Sequence, residues 1–433
     1  MARQELSVWL DGREIATLRE PLSGKIALEY SDVAAGQWLS GRPVISVALP
    51  MRPDRRHSPS VVTPYFEGLL PEGPARSILE EEFGIRRGDT FSLLAAIGRD
   101  CAGAVVIQPR SETAPSVRHA VVGQRLTDQE LRGALDGLGA HPLGASREVR
   151  VSLAGQQDKL LLSRDHNDGW LRPTGQSPST HILKPENAHF PGSVRNEALC
   201  LNLARAMSLS SIDVEVIELG GPVLVVSRYD RVNHNDETVS RLHQEDSCQA
   251  LSVPVDFLGE AKYQIAGGPS FKDVAGLLDS FADDQLTELQ KLLETMVFTV
   301  AIGNADAHGK NLSLLHDPIG SVRLAPLYDV MCTAWYPDVA TPRGTMPVST
   351  ELAMTIGPAT DVHGATVDDL VAEAISWRFN EQRARRIVDA TLERMAGALD
   401  SAAEETTGVD EGIVALIRGR IRNLTSRHPA GRR

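Results

Sequence analysis

The sequence predicts an α+β chain with a β-rich N-terminal part, a mixed β/α middle and a mostly helical C-terminal part. Three observations predict it. Short alternating apolar runs bounded by turn signals open the chain, strand and helix patterns alternate through the middle, and three- and four-residue apolar spacing dominates after about residue 245. At 433 residues the chain exceeds what one hydrophobic core usually organises. The expected divisions are 1–110, 111–245 and 246–433.

In the first part, strands are expected at 6–10 and 14–18. They flank Asp11-Gly12, a dipeptide suited to the positive φ angles of a tight hairpin turn. Further strands are expected at 25–30 and 44–49, then helices near 75–83 and 90–97. Residues 109–127 are polar and poor in large apolar side chains, which marks a linker. The middle part should contain strands at 150–163, 181–184 and 223–226. A helix at 194–208 carries Leu199, Leu203, Ala206 and Met207 on one face. In the last part, 283–302 places Leu286, Leu289, Leu293, Met296, Val297 and Val300 at helical spacing; 381–399 and 409–421 are similar. A loop broken by Pro and Gly is expected at 336–349.

Composition excludes several classes. Apolar residues at 42% and charged residues at 23% describe a soluble globular chain. A net charge of -13 argues against a general nucleic-acid coat. The basic clusters Arg52-Pro-Asp-Arg-Arg-His57 and Arg427-His-Pro-Ala-Gly-Arg-Arg433 read as a solvated loop and tail. Cys101, Cys200, Cys248 and Cys332 are scattered without a CxxC pair, so neither a zinc ribbon nor a disulfide framework is suggested. Reduced thiols in a cytoplasmic protein are expected. No apolar stretch approaches the ~18 residues that span a membrane, and the N-terminus lacks the apolar run of a signal peptide.

The residues that carry chemistry point to phosphoryl transfer. That reaction needs groups to hold phosphates, a metal to bridge their oxygens, and a carboxylate to orient the attacking hydroxyl. Kinases place the base Asp and a metal-binding Asn five residues apart on one loop. Gly303-Asn-Ala-Asp-Ala-His-Gly-Lys-Asn311 has that spacing, from Asp306 to Asn311, just after the helix expected at 283–302. The spacing alone would also suit a polar turn. A second carboxylate strengthens it: two strands at 311–315 and 322–325 precede Leu327-Tyr-Asp-Val330, so Asp329 stands where a second metal ligand belongs. Upstream, His181-Ile-Leu-Lys184 ends a strand on a lysine suited to nucleotide phosphates, and Glu197 on the next helix would pair with Lys184. Ser152-Leu-Ala-Gly-Gln-Gln-Asp-Lys159 reads as a hairpin tip whose backbone N–H groups and lysine can cradle phosphates.

These stretches run in order with Phe66-Glu-Gly-Leu-Leu-Pro-Glu-Gly73, Thr180-His-Ile-Leu-Lys184, Asn196-Glu197, Ser227-Arg-Tyr-Asp-Arg231, Arg241-Leu-His-Gln-Glu-Asp-Ser-Cys-Gln249 and Pro326-Leu-Tyr-Asp329. Together they resemble the HipA family of bacterial toxin kinases. The resemblance implies a protein-kinase-like bilobal fold, ATP and Mg²⁺ as cofactors, and serine/threonine kinase activity. It implies Asp306 as catalytic base and Asn311 and Asp329 as metal ligands. Ala154, Gly155, Gln156, Gln157, Asp158, Lys159 and Lys184 would contact phosphates. Ser227, Arg228 and Tyr229 would form the adenine hinge, and His308, Gly309, Lys310, Asn311 and Tyr328 would complete the nucleotide site. Ser152 matches the family's autophosphorylated serine. Gln156-Gln-Asp158 departs from the commoner Ala-Gln-Glu, which leaves the phosphate contacts there open.

The same resemblance implies a protein substrate among the aminoacyl-tRNA synthetases, often the glutamyl enzyme. It also implies a helix-turn-helix antitoxin, HipB, and operator DNA reached mainly through that antitoxin. Two other readings remain at this level: a non-catalytic kinase-like scaffold supporting the antitoxin, and a kinase of a small molecule or lipid.

Overall fold

The computed structural model describes residues 5–22, 24–145, 152–154, 157–254, 259–341 and 344–426. The basic tail at 427–433, Val149, Val151, Gly155 and Gln156 lie outside the described residues. The chain divides into two units. One comprises 1–184, 227–262 and 313–322; the other comprises 185–226, 263–312 and 323–433.

The first unit opens on an antiparallel sheet. Its strands lie in the order Arg56–His57, Lys25–Tyr30, Arg13–Leu22, Glu5–Leu10, Val106–Pro109. Leu6, Val8 and Leu10 alternate toward the core, as a half-buried strand requires. Asp11 and Gly12 both have positive φ, 48° and 70°, so the expected hairpin turn is present. Helices Pro59–Glu67, Gly73–Glu82 and Thr90–Ile97 follow, the last capped by Asp89 Oδ1 accepting from Ser92 N at 2.9 Å. A second group of strands pairs in the order Gly123–Arg125, Trp170–Pro173, Leu160–Arg164, His181–Pro185.

Three expectations need correction. Residues 44–49 form no strand. Val44, Ile45 and Leu49 are buried, but Pro43 and Pro50 bracket them, and among the described residues the ladder contact here is an isolated bridge between those prolines. The segment is a core-filling loop: His243 Nε2 donates to Ile45 O at 2.8 Å and Val47 N donates to Glu245 Oε1 at 2.8 Å. Alternation reported burial, not ladder pairing. Residues 109–127 are not a bare linker either, since His119–Ala120 pairs with Thr238–Arg241 and Gly123–Arg125 pairs with Trp170–Pro173. Finally, the loop at 336–349 carries an antiparallel ribbon, Asp338–Thr341 with Gly344–Pro347. The residues of Gly344–Pro347 are exposed, so no apolar period announced it.

The second unit is mostly helical. Gln285–Ile302 is its central helix, with Leu289, Leu293, Met296, Val297 and Val300 fully buried. Glu381–Glu405 packs on it and on Ser193–Ala206, and Phe271–Phe281 and Glu411–Ser426 also pack on it. All four cysteines of the chain are buried and unbridged.

The central helix ends at Gly303, whose φ of 75° is left-handed. A Cβ there would stand 2.8 Å from Ala334 Cβ and 3.0 Å from Arg420 Nε, so glycine is required on two counts. Gly303→Ala should therefore destabilise this unit by about 2–4 kcal/mol. A thermal melt should show a midpoint lowered by roughly 5–10 °C.

Candidate functional site

Beyond Gly303, the loop expected to be catalytic closes on itself. Asn304 Oδ1 accepts from Asp306 N at 3.0 Å, His308 N donates to Asp306 O at 2.9 Å, and Asn311 N donates to His308 O at 2.9 Å. Gly309–Asn311 completes one 3-10 turn. Asp306 is left exposed, while His308, Gly309 and Asn311 are buried and Lys310 is half-buried. Tyr263 donates its hydroxyl to Asp306 Oδ1 at 2.8 Å.

Asp329 follows the strands Ser313–His316 and Val322–Leu324. It is exposed and has φ of +55°, a conformation that Asp tolerates better than most side chains. The chain after it is stapled twice. Asn196, fully buried on Ser193–Ala206, donates Nδ2 to Cys332 O at 3.1 Å and accepts Cys332 N on Oδ1 at 2.9 Å. Thr333 Oγ1 accepts from Ala305 N at 2.8 Å and donates to Gly303 O at 3.1 Å. The residues after Asp329 are thereby tied to the residues before Asp306.

Asn311 joins the two acidic positions. Its Nδ2 donates to Asp306 O at 3.3 Å and to Asp329 O at 3.4 Å. With its nitrogen turned to these carbonyls, the side-chain oxygen is the ligand atom Asn311 offers. That oxygen and the Asp329 carboxylate are the hard donors Mg²⁺ prefers, and Mg²⁺ commonly takes few protein ligands beside phosphate oxygens and water. No group of three or more His, Cys, Asp or Glu converges on a metal position among the described residues. Two oxygen donors of this kind suit a cation that completes its shell with phosphate oxygens and water. Tyr328 donates its hydroxyl to Lys310 O, which fixes Tyr328 beside the same loop. Glu197 is buried on the helix that carries Asn196.

The first unit holds the remaining expected residues. Ser152 is fully buried; its Oγ donates to Leu69 O at 2.6 Å and its N donates to Asp100 O at 3.0 Å. Lys159 Nζ donates to Ala154 O at 2.7 Å, which closes the described part of the segment expected to cradle phosphates. Gln157 is half-buried and Asp158 exposed. Lys184 is buried on His181–Pro185. Ser227 ends Pro222–Ser227, and Tyr229 donates its hydroxyl to Gln244 Oε1.

Arg228 turns inward, into a buried ionic network. Its Nε donates to Asp230 Oδ1 at 3.0 Å, and Arg231 Nη2 donates to Asp100 Oδ1 at 2.8 Å. Asp230 Oδ2 accepts from Gly103 N at 2.7 Å, and Asp100 Oδ2 accepts from Ser179 N at 2.8 Å and Ser179 Oγ at 2.6 Å. Arg241 approaches Asp100 Oδ1 at 3.5 Å. Burial alone would push both carboxyls up, but the surrounding guanidiniums outweigh it and hold them well below the carboxylate range. Burial pulls Arg241 down to about 10, against the attraction of Asp100.

Sequence reasoning missed the ties made by Asn196, Thr333 and Asp100, and the Tyr263 bond to Asp306. Asn196 stood beside Glu197 in a quoted motif, but its partner Cys332 lies 136 positions away. Asp100 and Arg231 are 131 positions apart. No local spacing could join such pairs.

With this geometry in place, comparison with known proteins decides the family. A family model described as the HipA-like C-terminal domain matches residues 151–399, and one described as the HipA N-terminal domain matches 6–108. The chain belongs to the HipA family. It is 37% identical to a putative kinase, Y4mE, of Sinorhizobium fredii over 93% of this chain and 94% of that protein. It is 31% identical to the serine/threonine-protein kinase toxin HipA of Shewanella oneidensis over 69% of each. A solved structure of HipA from Shewanella oneidensis, with HipB and operator DNA, superposes with a TM-score of 0.79 at 25% identity, covering 98% of this chain and 96% of that one. The chain is accordingly a HipA-type serine/threonine protein kinase with a protein-kinase-like α+β fold.

The ionic network makes a test of its own. Asp100→Asn leaves buried guanidiniums short of countercharge and should cost roughly 3–5 kcal/mol. Asp100 and Asp230 bind protons less readily folded than unfolded. Their contribution is thus complete above the unfolded pKa of about 4 and is lost as pH falls below it. In thermal melts between pH 7 and 3, the gap between the native protein and Asp100→Asn should hold steady to about pH 4.5 and then narrow.

Proposed function

We propose that this HipA-family chain transfers the γ-phosphate of ATP, with Mg²⁺, to a serine or threonine hydroxyl of a protein. The observation that carries it is the grouping of Asp306, Asn311 and Asp329, held by one side-chain amide and two staples. Asp306, exposed at the loop, accepts or orients the proton of the acceptor hydroxyl. Asn311 and Asp329 offer the oxygens that hold the cation, which when bound neutralises charge on the transferring phosphoryl group. Lys159, Lys184 and the backbone of Ala154, Gly155, Gln156, Gln157 and Asp158 hold phosphates. Ser227, Arg228 and Tyr229 receive adenine through backbone groups, while the Arg228 side chain stiffens that turn from within. His308, Gly309, Lys310 and Tyr328 complete the nucleotide site, and Glu197 pairs with Lys184. The working division of the chain remains 1–110, 111–245 and 246–433.

Ser152 is the self-phosphorylation site in this reading. A phosphate there adds nearly two negative charges where a neutral hydroxyl now meets Leu69 O, so the segment must leave that position and the kinase switches off. The biological role proposed is that of a toxin that phosphorylates an aminoacyl-tRNA synthetase, such as the glutamyl enzyme, and slows growth. A helix-turn-helix antitoxin neutralises it, and the pair represses its own operon. The solved HipA complex with HipB and operator DNA supports that partnership. A net charge of -13 suits DNA contact made mainly through the antitoxin. No described helix is long and apolar enough to cross a membrane.

The test combines the full chain with Mg²⁺ and γ-labelled ATP, alone and in a cell lysate, with labelled species identified by mass spectrometry. Label at Ser152 and on a synthetase is expected. Asp306→Asn should lower transfer by roughly 10²–10⁴-fold while ATP still binds. Label confined to metabolites would overturn the protein-kinase reading, and robust transfer by Asp306→Asn would overturn the base.

A further inference from the structure

We propose that the first unit binds a monoatomic anion of the chloride class in a small cavity lined by Trp9 and Arg241. The cavity has a volume of about 10 Å³, room for one body near the size of a water molecule. Asp11, Gly12, Val117 and His119 also line it. Gly12 lets the walls come together: a Cβ there would stand 2.8 Å from Val117 Cγ2. Arg241 is the residue that points to a ligand. Its side chain is only 5% exposed, yet its Nε and Nη1 have no hydrogen-bond partner among the described residues. Trp9 contributes a second orphan, since its Nε1 is buried and likewise without a partner. The pairing of Glu5–Leu10 slips register between Val8 and Trp9, and a slip of that kind re-aims a side chain out of the regular pleat.

The charge balance asks for an anion rather than a neutral occupant. Arg228, Arg231 and Arg241 face Asp100 and Asp230, which leaves positive charge in excess inside the protein. Arg241 is where the excess falls. The carboxylate that attracts it is Asp100, at 3.5 Å, and that carboxylate already takes a hydrogen bond from Arg231 at 2.8 Å. Arg231 and Arg241 also stand directly opposite each other on paired antiparallel strands, where like charges destabilise. His119 adds no charge at neutral pH, since burial and the nearby Arg241 hold its pKa down to about 4. Asp11 is exposed to water, which weakens the repulsion its carboxylate exerts. The orphaned atoms of Arg241 and Trp9 are all N–H donors. A water can accept from two of them but brings two hydrogens of its own that need acceptors. A halide accepts from every side and offsets the excess charge, which a desolvated guanidinium otherwise carries uncompensated. The anion thus completes the network whose Asp100 O receives Ser152 N.

The experiment uses the full chain and sodium chloride, with sodium gluconate keeping the ionic strength constant. In thermal melts, chloride should raise the midpoint saturably, by roughly 2–4 °C once the site is filled. Trp9→Phe keeps a ring and removes the donor, and Arg241→Met removes the charge. Each should flatten the difference between chloride and gluconate measured within that variant. Crystals grown in sodium bromide should show the anomalous signal of a bromide between Trp9 and Arg241. Should Arg241→Met fail to fold, Trp9→Phe decides the matter alone. A chloride dependence that survives undiminished in Trp9→Phe overturns the inference, because the salt then acts elsewhere. Density in the cavity without an anomalous signal is a water, and overturns it. Bromide in the cavity with a melt indifferent to chloride is an adventitious ion only, and overturns it too.

Discussion

The first unit depends on one buried constraint, the exchange of charge among Asp100, Asp230, Arg228, Arg231 and Arg241. Ions taken from water are expensive, and a buried pair is tolerated only when every partner is held well. Here the partners come from distant parts of the chain. Asp100 follows the helix Thr90–Ile97, Ser179 leads into the strand bearing Lys184, and the arginines flank Tyr229. The main-chain carbonyl of Asp100 also receives Ser152 N. A single acidic residue therefore fixes, at once, the main chain at Ser152 and the turn at 227–231. With three guanidiniums against two carboxylates, the cluster carries a surplus positive charge, and Nε and Nη1 of Arg241 have no hydrogen-bond partner. The network is stiff but leaves little room for losing either acid.

Around the Gly303–Asn311 loop, the second unit is tied by neutral groups. A left-handed glycine ends the helix Gln285–Ile302, a left-handed aspartate opens the segment at 329, and neutral amide and hydroxyl groups tie the two together. Such bonds are individually modest, about 1 kcal/mol each. Their value lies in geometry: Asn196 and Thr333 reach main-chain atoms, so they fix the course of the chain that carries the exposed Asp306 and Asp329.

How much was legible beforehand follows from the range of each interaction. The Asp11-Gly12 turn, the helix ending before Gly303 and the Asp306-to-Asn311 spacing are local patterns, and all are present. The strands before Asp329 were legible as two short runs rich in apolar residues on either side of a turn. Residues 44–49 misled because apolar alternation reports burial, and a buried loop between prolines satisfies it as well as a strand does. The ribbon Asp338–Thr341 with Gly344–Pro347 gave no signal because its second strand buries nothing. Asp100, Asn196, Tyr263 and Thr333 were silent for another reason. Each is a single polar residue whose partner is brought to it by the fold, and a lone polar residue carries no period.

The four buried cysteines fall evenly between the units, Cys101 and Cys248 in one, Cys200 and Cys332 in the other. Burial pushes the Cys101 thiol up to about 12 and the Cys332 thiol up to about 11, so almost no reactive thiolate forms at either position at neutral pH. Cys101 adjoins the acid at the centre of the ionic network, and Cys332 adjoins the staple behind Asp329. Their alkylation would proceed only through opening of the surrounding packing. The chain thus carries an intrinsic pair of clocks, one per unit, from which the breathing of each half can be timed without attaching any foreign probe.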